Sequence, residues 1–300
     1  MTDAAVGTAH EPGGRVTGRR TSRRPGSRRL GGVARAVVAG LVGLLFLAPL
    51  YWVFVTSTLS TSEAYNFSWS SLVPHWSFTN YDRAWHAAPW ERFFTNTIFI
   101  AVCTVALAIF TSLLAGYAFS MMRFRGRSAL FGAVLSVMMV PQTVLLIPDY
   151  IIAQHLHLLD TYWIQILPFG ASVFGIFLVR QFFLNVPTEL FEAAELDGAG
   201  PIRMLFSIGL PMVRPALLVL GLQVLMGSWN AFLWPYVMTD SNAVRPIEVG
   251  LSVFSGTNGT DYTGLCAGVT FTTIPVLVVF LLLQKHFITG AFSSAGGVRG

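Results

Sequence analysis

The sequence predicts an all-α membrane protein with six transmembrane helices and both termini on the cytoplasmic side. Three observations lead to this prediction. Of the 300 residues, 54% are hydrophobic and only 11% are charged, whereas soluble domains carry about 25% charged residues. Six apolar stretches are long enough to cross a bilayer, and most basic residues fall on one side of them. The mean hydropathy of +0.62 agrees with a membrane protein.

The six apolar stretches are predicted to be helices, because lipid offers no other partner to backbone N–H and C=O groups. Each is close to the roughly 20 residues that a bilayer core requires. They cover about 33–55, 97–119, 129–153, 162–183, 215–234 and 266–283. The third contains Pro141 and Pro148, and proline is a usual cause of helix bending. We expect the first to be retained, because the apolar core of a cleaved signal has only roughly 7–15 residues.

The positions of the basic residues predict the orientation. Sixteen of the nineteen Lys and Arg residues lie on one side, which the positive-inside rule assigns to the cytoplasm. The opposite side has only Arg83, Arg92 and Arg245. The net charge of +5 arises mainly in the N-terminal tail. Topology explains such a tail better than nucleic-acid binding does, so no nucleic-acid partner is predicted.

Two segments outside the membrane differ in character. Residues 1–30 are rich in Gly, Arg, Ser and Thr and are predicted to be a disordered basic cytoplasmic tail, which leaves 31–300 as the membrane domain.

The longest outer loop, about 56–96, carries four tryptophans. They fit either an interfacial aromatic belt or a docking surface for an external partner, and both interpretations stay open. The four are Trp69, Trp76, Trp85 and Trp90.

The cytoplasmic segment between the fourth and fifth stretches, residues 188–211, is patterned as two short helices joined by a bend. We call it the elbow. Thr188 is a candidate N-cap, and Glu189 and Glu192 occupy the first turn, where the helix dipole favours acids. Gly198 is a typical helix stop. A second helix is predicted to begin near Pro201, a residue suited to the first helical position.

The first elbow helix is predicted to be acidic along one edge. At about 100° per residue, Glu189, Glu192 and Glu195 share one arc. Helices that rest on a membrane surface carry Lys and Arg on the polar face instead. The elbow is therefore predicted to be a protruding segment that docks into a groove of a soluble partner. Pro211 and Pro215 mark the start of the fifth span. The opposite side of the helix carries Leu190, Phe191 and Ala194.

The elbow matches a known motif. Its signature positions stand at the spacing of the EAA loop of ABC-importer permeases, before the second-last span as in that family. They are Glu192-Ala193-Ala194, Gly198, Ile208 and Leu210-Pro211. From about residue 80 onward the chain resembles the carbohydrate-uptake, maltose-type branch of these permeases. Other matching stretches are Ala118-Phe119 with Arg123-Phe124-Arg125-Gly126-Arg127, Val140-Pro141-Gln142-Thr143-Val144, Leu158-Leu159-Asp160-Thr161-Tyr162, Gly227-Ser228-Trp229-Asn230 and Phe232-Leu233-Trp234-Pro235.

This resemblance implies the type I ABC-importer permease fold, with the elbow as a coupling helix seated in a cleft of an ATPase subunit. Glu192 would pair with a basic group on the ATPase. Ala193 and Ala194 would allow close docking, and Gly198 would supply the bend between the two short helices. The remaining motif positions of the coupling loop are Ile208, Leu210 and Pro211.

The resemblance also implies the partners. They are a second permease subunit, an ATPase dimer and an extracytoplasmic protein that delivers a sugar or oligosaccharide. The expected location is a bacterial-type cytoplasmic membrane, with the chain embedded in the lipid bilayer. No Gly-x-x-x-x-Gly-Lys-Ser/Thr phosphate loop occurs in the sequence, so ATP and Mg are expected on the ATPase. No cofactor and no metal site are predicted for this chain, and it is expected not to be an enzyme.

Three residues are candidates for the substrate path. Asn230 and Trp229 end the fifth span, where many members of the family have Asp at the position of Ala231. Asp149 stands where an apolar residue is usual, and it is expected either to reach the outer interface or to face the path. Gln223 is expected to form an interhelical hydrogen bond.

Other classes of protein would show other features. An ion-driven transporter is expected to carry internal repeats and buried ionisable groups, and a membrane-embedded enzyme would cluster His, Asp or Glu within its spans. The sequence shows no internal repeat, only Asp149 as a candidate ionisable group, and no such cluster. An anchoring protein would not need the elbow.

Overall fold

The computed structural model describes residues 26–66, 68–256 and 259–296. The chain divides into two compact units, Met1–Tyr51 and Trp52–Gly300. The described residues are mostly helical, as the composition predicts. Most of the predicted basic tail, up to residue 25, lies outside the described residues.

The helices follow one another along the chain with short connections. In order they are α1 (Gly26–Thr58), α2 (Thr61–Tyr65), α3 (Thr79–His86), α4 (Trp90–Met121), α5 (Arg127–Ser136), α6 (Leu146–His155), α7 (Trp163–Ile166), α8 (Val173–Phe183), α9 (Glu189–Leu196), α10 (Pro201–Met204), α11 (Leu210–Trp229), α12 (Leu233–Met238), α13 (Ile247–Gly250) and α14 (Tyr262–Gly296). Two strands, β1 (Ser255–Gly256) and β2 (Gly259–Thr260), pair antiparallel. Short 3₁₀ segments cover Trp69–Leu72, Val137–Met139, Gln142–Leu145, Leu167–Phe169 and Leu251–Phe254, and Leu205–Gly209 is a π-helical turn.

Four helical segments are long and apolar enough to cross a bilayer. They are Arg35–Thr58, Trp90–Met121, Trp163–Phe183 and Pro201–Trp229. A fifth candidate is the pair Arg127–Met139 and Gln142–His155, whose axes differ by 85°. The bend falls at Val140 and Pro141, in the span that the prolines predicted to bend. The sixth span, expected over about 266–283, stays a prediction. Helix α14 (Tyr262–Gly296) covers these positions, and its apolar segment within the fully described residues is Tyr262–Val278.

The helical segment at the fifth predicted span begins and ends earlier than the predicted span. That span was placed at 215–234 with a separate elbow helix before it, but Pro201–Trp229 is one continuous helical segment. The π turn lies just before Pro211, which is in the first turn of α11, and such local adjustments let a membrane helix accommodate proline. The N–H of Leu210 accordingly bonds to the carbonyl of Leu205, five residues back. Pro215 lies inside α11.

The core of the second unit is built on α4, which packs against α8 and α11. Small residues let these helices approach closely, as is usual where membrane helices meet. A Cβ on Gly116 would lie 2.7 Å from a Val179 methyl group. A Cβ on Gly175 would lie 2.4 Å from Ser112 Oγ and 2.8 Å from Leu220.

The four outer-loop tryptophans do not form one group. Trp90 is 1% exposed and its Nε1 donates to the carbonyl of Ala84, so it belongs to the core rather than to a belt or a docking surface. Trp69 and Trp76 are 82% and 70% exposed. Trp85 packs edge-on against Phe271. The two open interpretations therefore concern the first three tryptophans alone.

Asp160 links the turn before α7 to the segment after α12 through hydrogen bonds. Its carboxylate accepts the backbone N–H groups of Asp240 and Ser241 at 3.0 and 2.9 Å, and its own N–H donates to Met238. Desolvation by itself would raise the pKa of Asp160, but these hydrogen bonds and the charge of Arg245 together lower that pKa below its ordinary value. Asp160 also has φ +56, which Asp tolerates better than most residues.

We expect Asp160→Ala to lower the free energy of unfolding by about 1–3 kcal/mol, because two charge-assisted hydrogen bonds are lost and Ala is strained at positive φ. A folded-state pKa below the unfolded one stabilises the fold at every pH above the ordinary carboxyl value of about 4, and this contribution disappears as the pH falls through the lowered value. Thermal unfolding of the solubilised chain, compared at pH 7 and near pH 3, measures both the loss of stability and its dependence on pH. Asp240→Ala, which keeps its backbone N–H, is the control. An equal effect at the two pH values would contradict the ionic role.

Candidate functional site

The elbow consists of α9, a turn at Gly198 and α10, which continues through the π turn into α11. The helix starts at Glu189, as the sequence predicts, but the Thr188 side chain makes no capping hydrogen bond. Pro201 occupies the first turn of α10 after Gly200 as N-cap. The bend and both helix starts therefore lie where the pattern placed them.

The two sides of α9 have opposite environments. The acidic residues Glu189, Glu192 and Glu195 are exposed, together with Ala193, and Ala194 is partly exposed. Phe191 is the buried residue of this helix. The predicted acidic edge therefore faces away from the rest of the chain, where another molecule can reach it.

Gly198 ends α9 in a Schellman motif. It has φ +80, its N–H donates to the carbonyl of Glu195, and the N–H of Ala199 donates to that of Ala194, both at 2.9 Å. This pair of bonds satisfies carbonyls that the helix end leaves open. A residue with a Cβ is strained at this φ even though nothing lies within 4 Å of the Cβ position.

We expect Gly198→Ala to destabilise the elbow by about 1–2 kcal/mol through backbone strain alone. Gly200→Ala is the matched control, since Gly200 has φ −74 and also has nothing within 4 Å of its Cβ position. Limited proteolysis of the elbow in the two variants measures the difference. Asn is expected to restore part of the loss, because Asn tolerates this conformation. Equal cleavage of both alanine variants would show that the turn does not depend on the glycine.

A hydrophobic cluster anchors the elbow to the spans. Phe191 from α9 packs with residues of α4, α8, the π turn and α11. Its ring lies 6.2 Å from that of Tyr117, which meets Phe183 at 5.6 Å. Ile208 and Leu210 pack against the same cluster, whereas Pro211 is exposed. The buried members are Leu113, Tyr117, Val179, Phe183, Val186, Phe191, Leu205, Val213, Ala216 and Leu217.

Two arginines, Arg180 and Arg127, make hydrogen bonds to the C-terminal end of α4. Arg180 Nε donates to the carbonyl of Phe119, and its guanidinium lies 4.2 Å from the centre of the Phe131 ring. Arg127 donates to the carbonyls of Ser120 and Met122, which lie at the C-terminal end of α4. The sequence indicated Arg180 only as basic charge and Arg127 also as part of a matching stretch, but not their partners, which the fold brings together.

Of the three candidates for the substrate path, Trp229 and Asn230 are adjacent in the chain, and Asp149 lies on another helix, α6. Trp229 is buried and packs against Phe94 and other aromatic residues near the start of α4. Asn230 is exposed and its side chain caps its own helix by donating to Met226. Asp149 lies partly exposed in the first turn of α6. None of the three is among the residues that line the cavity described next.

A cavity of about 490 Å³ lies among the bent pair, α7, α8, α11 and α12. Gln223, which was expected to bond to another helix, lines it instead and makes no hydrogen bond with the described residues. Apolar lining comes from Ile100, Val137, Phe169, Val224 and Trp234 among others. The sequence did not indicate this cavity, since its walls come from five separate segments.

Comparisons with known proteins give a consistent result. The family model described as "Binding-protein-dependent transport system inner membrane component" matches residues 108–290. The chain is 32% identical over 263 residues to the arabinooligosaccharides transport system permease protein AraQ of Bacillus subtilis (strain 168), covering 87% of this chain and 93% of AraQ. It is 34% identical over 254 residues to the probable ABC transporter permease protein YurM of the same organism, covering 84% and 83%.

Another relative is the sn-glycerol-3-phosphate transport system permease protein UgpE of Yersinia pestis, 32% identical over 84% of this chain and 92% of UgpE. Among solved structures, a bacterial ABC transporter involved in the import of the acidic polysaccharide alginate is similar, with TM-score 0.73 and 27% identity. The match covers 87% of this chain and 98% of that one. A chain of the alginate transporter in complex with its alginate-bound periplasmic protein shares the fold at TM-score 0.59.

Proposed function

Because the chain belongs to the family of binding-protein-dependent transport system inner membrane components, and is a transporter permease subunit rather than an enzyme, we propose that it imports a sugar or oligosaccharide. An extracytoplasmic binding protein delivers the solute, and the elbow couples transport to a separate ATPase. ATP and Mg bind to that ATPase and not to this chain. A second permease subunit completes the path. Similarity to AraQ, of an arabinooligosaccharides transport system, and to a transporter involved in alginate import supports this class of substrate.

The observation that supports the coupling role is a difference in burial within the elbow. Apolar side chains at its tip, the Gly198 turn, are exposed, whereas those at its base, near the spans, are buried. At the tip, Leu196 is 90% and Ile202 74% exposed, on either side of the Gly198 turn. Apolar side chains so exposed on a polar segment are typical of a surface that a partner covers. At the base, Phe191 is buried among residues of three spans. A partner that moves the tip therefore acts on a segment that packs directly against α4, α8 and α11.

The proposed mechanism is alternating access. ATP binding closes the ATPase dimer, the elbow moves with it, and the spans rock to open the path toward the binding protein. Hydrolysis resets the inward-facing state. The 85° bend at Pro141 gives the third span a place to pivot. Nucleotide-independent crosslinking between the spans would count against this movement.

The topology that accompanies this function has six spans and both termini in the cytoplasm of a bacterial-type cell. It rests on the distribution of Lys and Arg and on the elbow, which must face the ATPase. Single cysteines at the two exposed positions Leu196 and Val253 test it with an impermeant thiol reagent. Labelling of both from the same side of the membrane would contradict it.

Co-purification tests the assembly. The tagged chain is solubilised gently and the proteins that accompany it are identified by mass spectrometry. We expect an ATPase and a second permease. Recovery of this chain alone, or as a simple homo-oligomer without any nucleotide-binding protein, would contradict the proposed coupling.

A further inference from the structure

Three interrupted helices meet at the 490 Å³ cavity. The first interruption is the bend at Val140 and Pro141, the second is the turn at 170–172 before α8, and the third is the break at 230–232 between α11 and α12. Val140, Ser172 and Ala231 all line the cavity. Irregular backbone at membrane depth is tolerated only where protein buries it or where it lines a water-filled space. Broken helices also form the solute sites of other transporters.

The hydrogen-bonding side chains of the cavity are all uncharged. No Asp, Glu, Lys, Arg or His occurs among the lining residues in the described part of the chain. The polar members are three glutamines and two serines drawn from different segments. They are Gln142, Gln165, Ser172, Gln223 and Ser228.

Gln165 gives this set a feature that packing does not explain. Its side chain is 4% exposed, and its Nε2 donates to the carbonyls of Val244 and Thr161 at 3.0 and 3.3 Å. Its Oε1 has no hydrogen-bond partner among the described residues. A buried acceptor left unpaired costs about 1–3 kcal/mol. The other four polar side chains are more accessible, since Gln142 and Gln223 are exposed and Ser172 and Ser228 are partly exposed. Amide and hydroxyl groups of this kind pair with a hydroxyl group, which needs no counter-charge.

We propose that this cavity is a binding site for an uncharged sugar segment during its passage through the subunit. The inference rests on the proposed transport function and deepens it. The volume lies in the range of small-ligand pockets, roughly 300–1,000 Å³. Amide and hydroxyl groups pair with sugar hydroxyls, and Phe169 and Trp234, whose rings pack edge to face on each other, add apolar surface to the lining. A carboxylate or phosphate would find no cationic side chain among these lining residues.

Thiol protection tests the site without requiring transport. Ser228→Cys is introduced with Cys103 and Cys266 replaced by alanine, and a small impermeant thiol reagent is applied to the complex in detergent. The neutral probes are trisaccharides of arabinose, glucose, xylose and galactose, and the anionic probes are an alginate trisaccharide and sn-glycerol 3-phosphate. We expect at least one neutral probe, and no anionic probe, to slow the labelling. Leu218→Cys, on the same helix but outside the lining, is the control and is expected not to respond.

A second variant tests the hydrogen bonds. Adding Gln223→Leu to Ser228→Cys is expected to raise the half-protecting sugar concentration about threefold to tenfold, the effect of one lost hydrogen bond. Val219→Ala, on the same helix and outside the lining, is expected to leave it unchanged. Absence of labelling, absence of protection by every neutral probe, or protection by the anionic probes would each overturn the proposal.

The outcomes separate this inference from the proposed function. Labelling and protection need neither ATP nor the binding protein. ATP-driven uptake without protection would overturn the sugar site and leave the importer standing. Protection without any ATP-driven uptake would keep the site and overturn the proposed coupling.

Discussion

Glu192→Arg is expected to abolish ATP-driven uptake while the chain still inserts into the membrane at the wild-type level. Glu192 is exposed on the acidic edge of α9 and contributes nothing to the core. The resemblance of the elbow to the EAA loop gives Glu192 a basic partner on the ATPase. Truncating one member of a buried charge pair costs about 2–5 kcal/mol, and charge reversal adds repulsion. Even the lower value corresponds to roughly a thirtyfold loss of affinity.

Two measurements together check this expectation. Uptake is followed in membrane vesicles supplied with ATP, and the amount of ATPase that co-purifies with the tagged chain is quantified. Glu189→Arg, three residues earlier on the same exposed edge and outside the motif, is the matched control and is expected to keep most of both signals. Normal uptake by Glu192→Arg would remove the coupling role from this residue. Equal losses in both variants would show that general acidity matters rather than one position.

Phe191→Ala is expected to uncouple hydrolysis from transport. Phe191 is 8% exposed and joins α9 to the ends of α4, α8 and α11. Removing a buried Phe side chain costs about 3–5 kcal/mol, and here the loss falls on the contact between elbow and spans. The docking residues on the opposite edge of α9 are unchanged. We expect the ATPase to bind and hydrolyse ATP while uptake falls by a factor between roughly 5 and 150, the usual range of a coupling free energy.

The test is the ratio of sugar taken up to ATP hydrolysed in the reconstituted complex. Leu190→Ala changes the neighbouring side chain, which is 44% exposed, and is expected to preserve the ratio. Phe191→Leu, which keeps most of the buried volume, is expected to restore it in part. Loss of the ATPase from the Phe191→Ala complex would show that the residue shapes the docking surface instead. An unchanged ratio would mean that movement does not pass through this cluster.

Local sequence patterns predicted several features of the elbow but not all of them. Its helix start at Glu189, its acidic edge and the glycine stop at Gly198 follow from capping preferences and helical periodicity, which act within a few residues. The continuity of the helical segment Pro201–Trp229 does not follow from local patterns, because proline predicts a helix boundary. The π turn before Pro211 depends on packing around Gly209. A Cβ at Gly209 would lie 2.9 Å from the Phe183 ring.

The candidate substrate path shows where such patterns fail. Asn230, Trp229 and Asp149 are conspicuous in an apolar sequence, yet none of them lines the cavity. Gln165 and Ser172 are inconspicuous, and the cavity contains both. Polarity along the chain indicates that a residue is unusual in a membrane, but not which neighbours surround it.

By itself the sequence determined the class of protein, most of its candidate spans and the position and acidic edge of the elbow. The physical reason is that membrane insertion, helix capping and the helix period depend on residues close together in the chain. Only the tertiary structure decided what the elbow is attached to, that Trp90 belongs to the core, and that three broken helices enclose an uncharged cavity. These features arise from contacts between residues tens to hundreds of positions apart, and a single chain read in order does not reveal which of them meet.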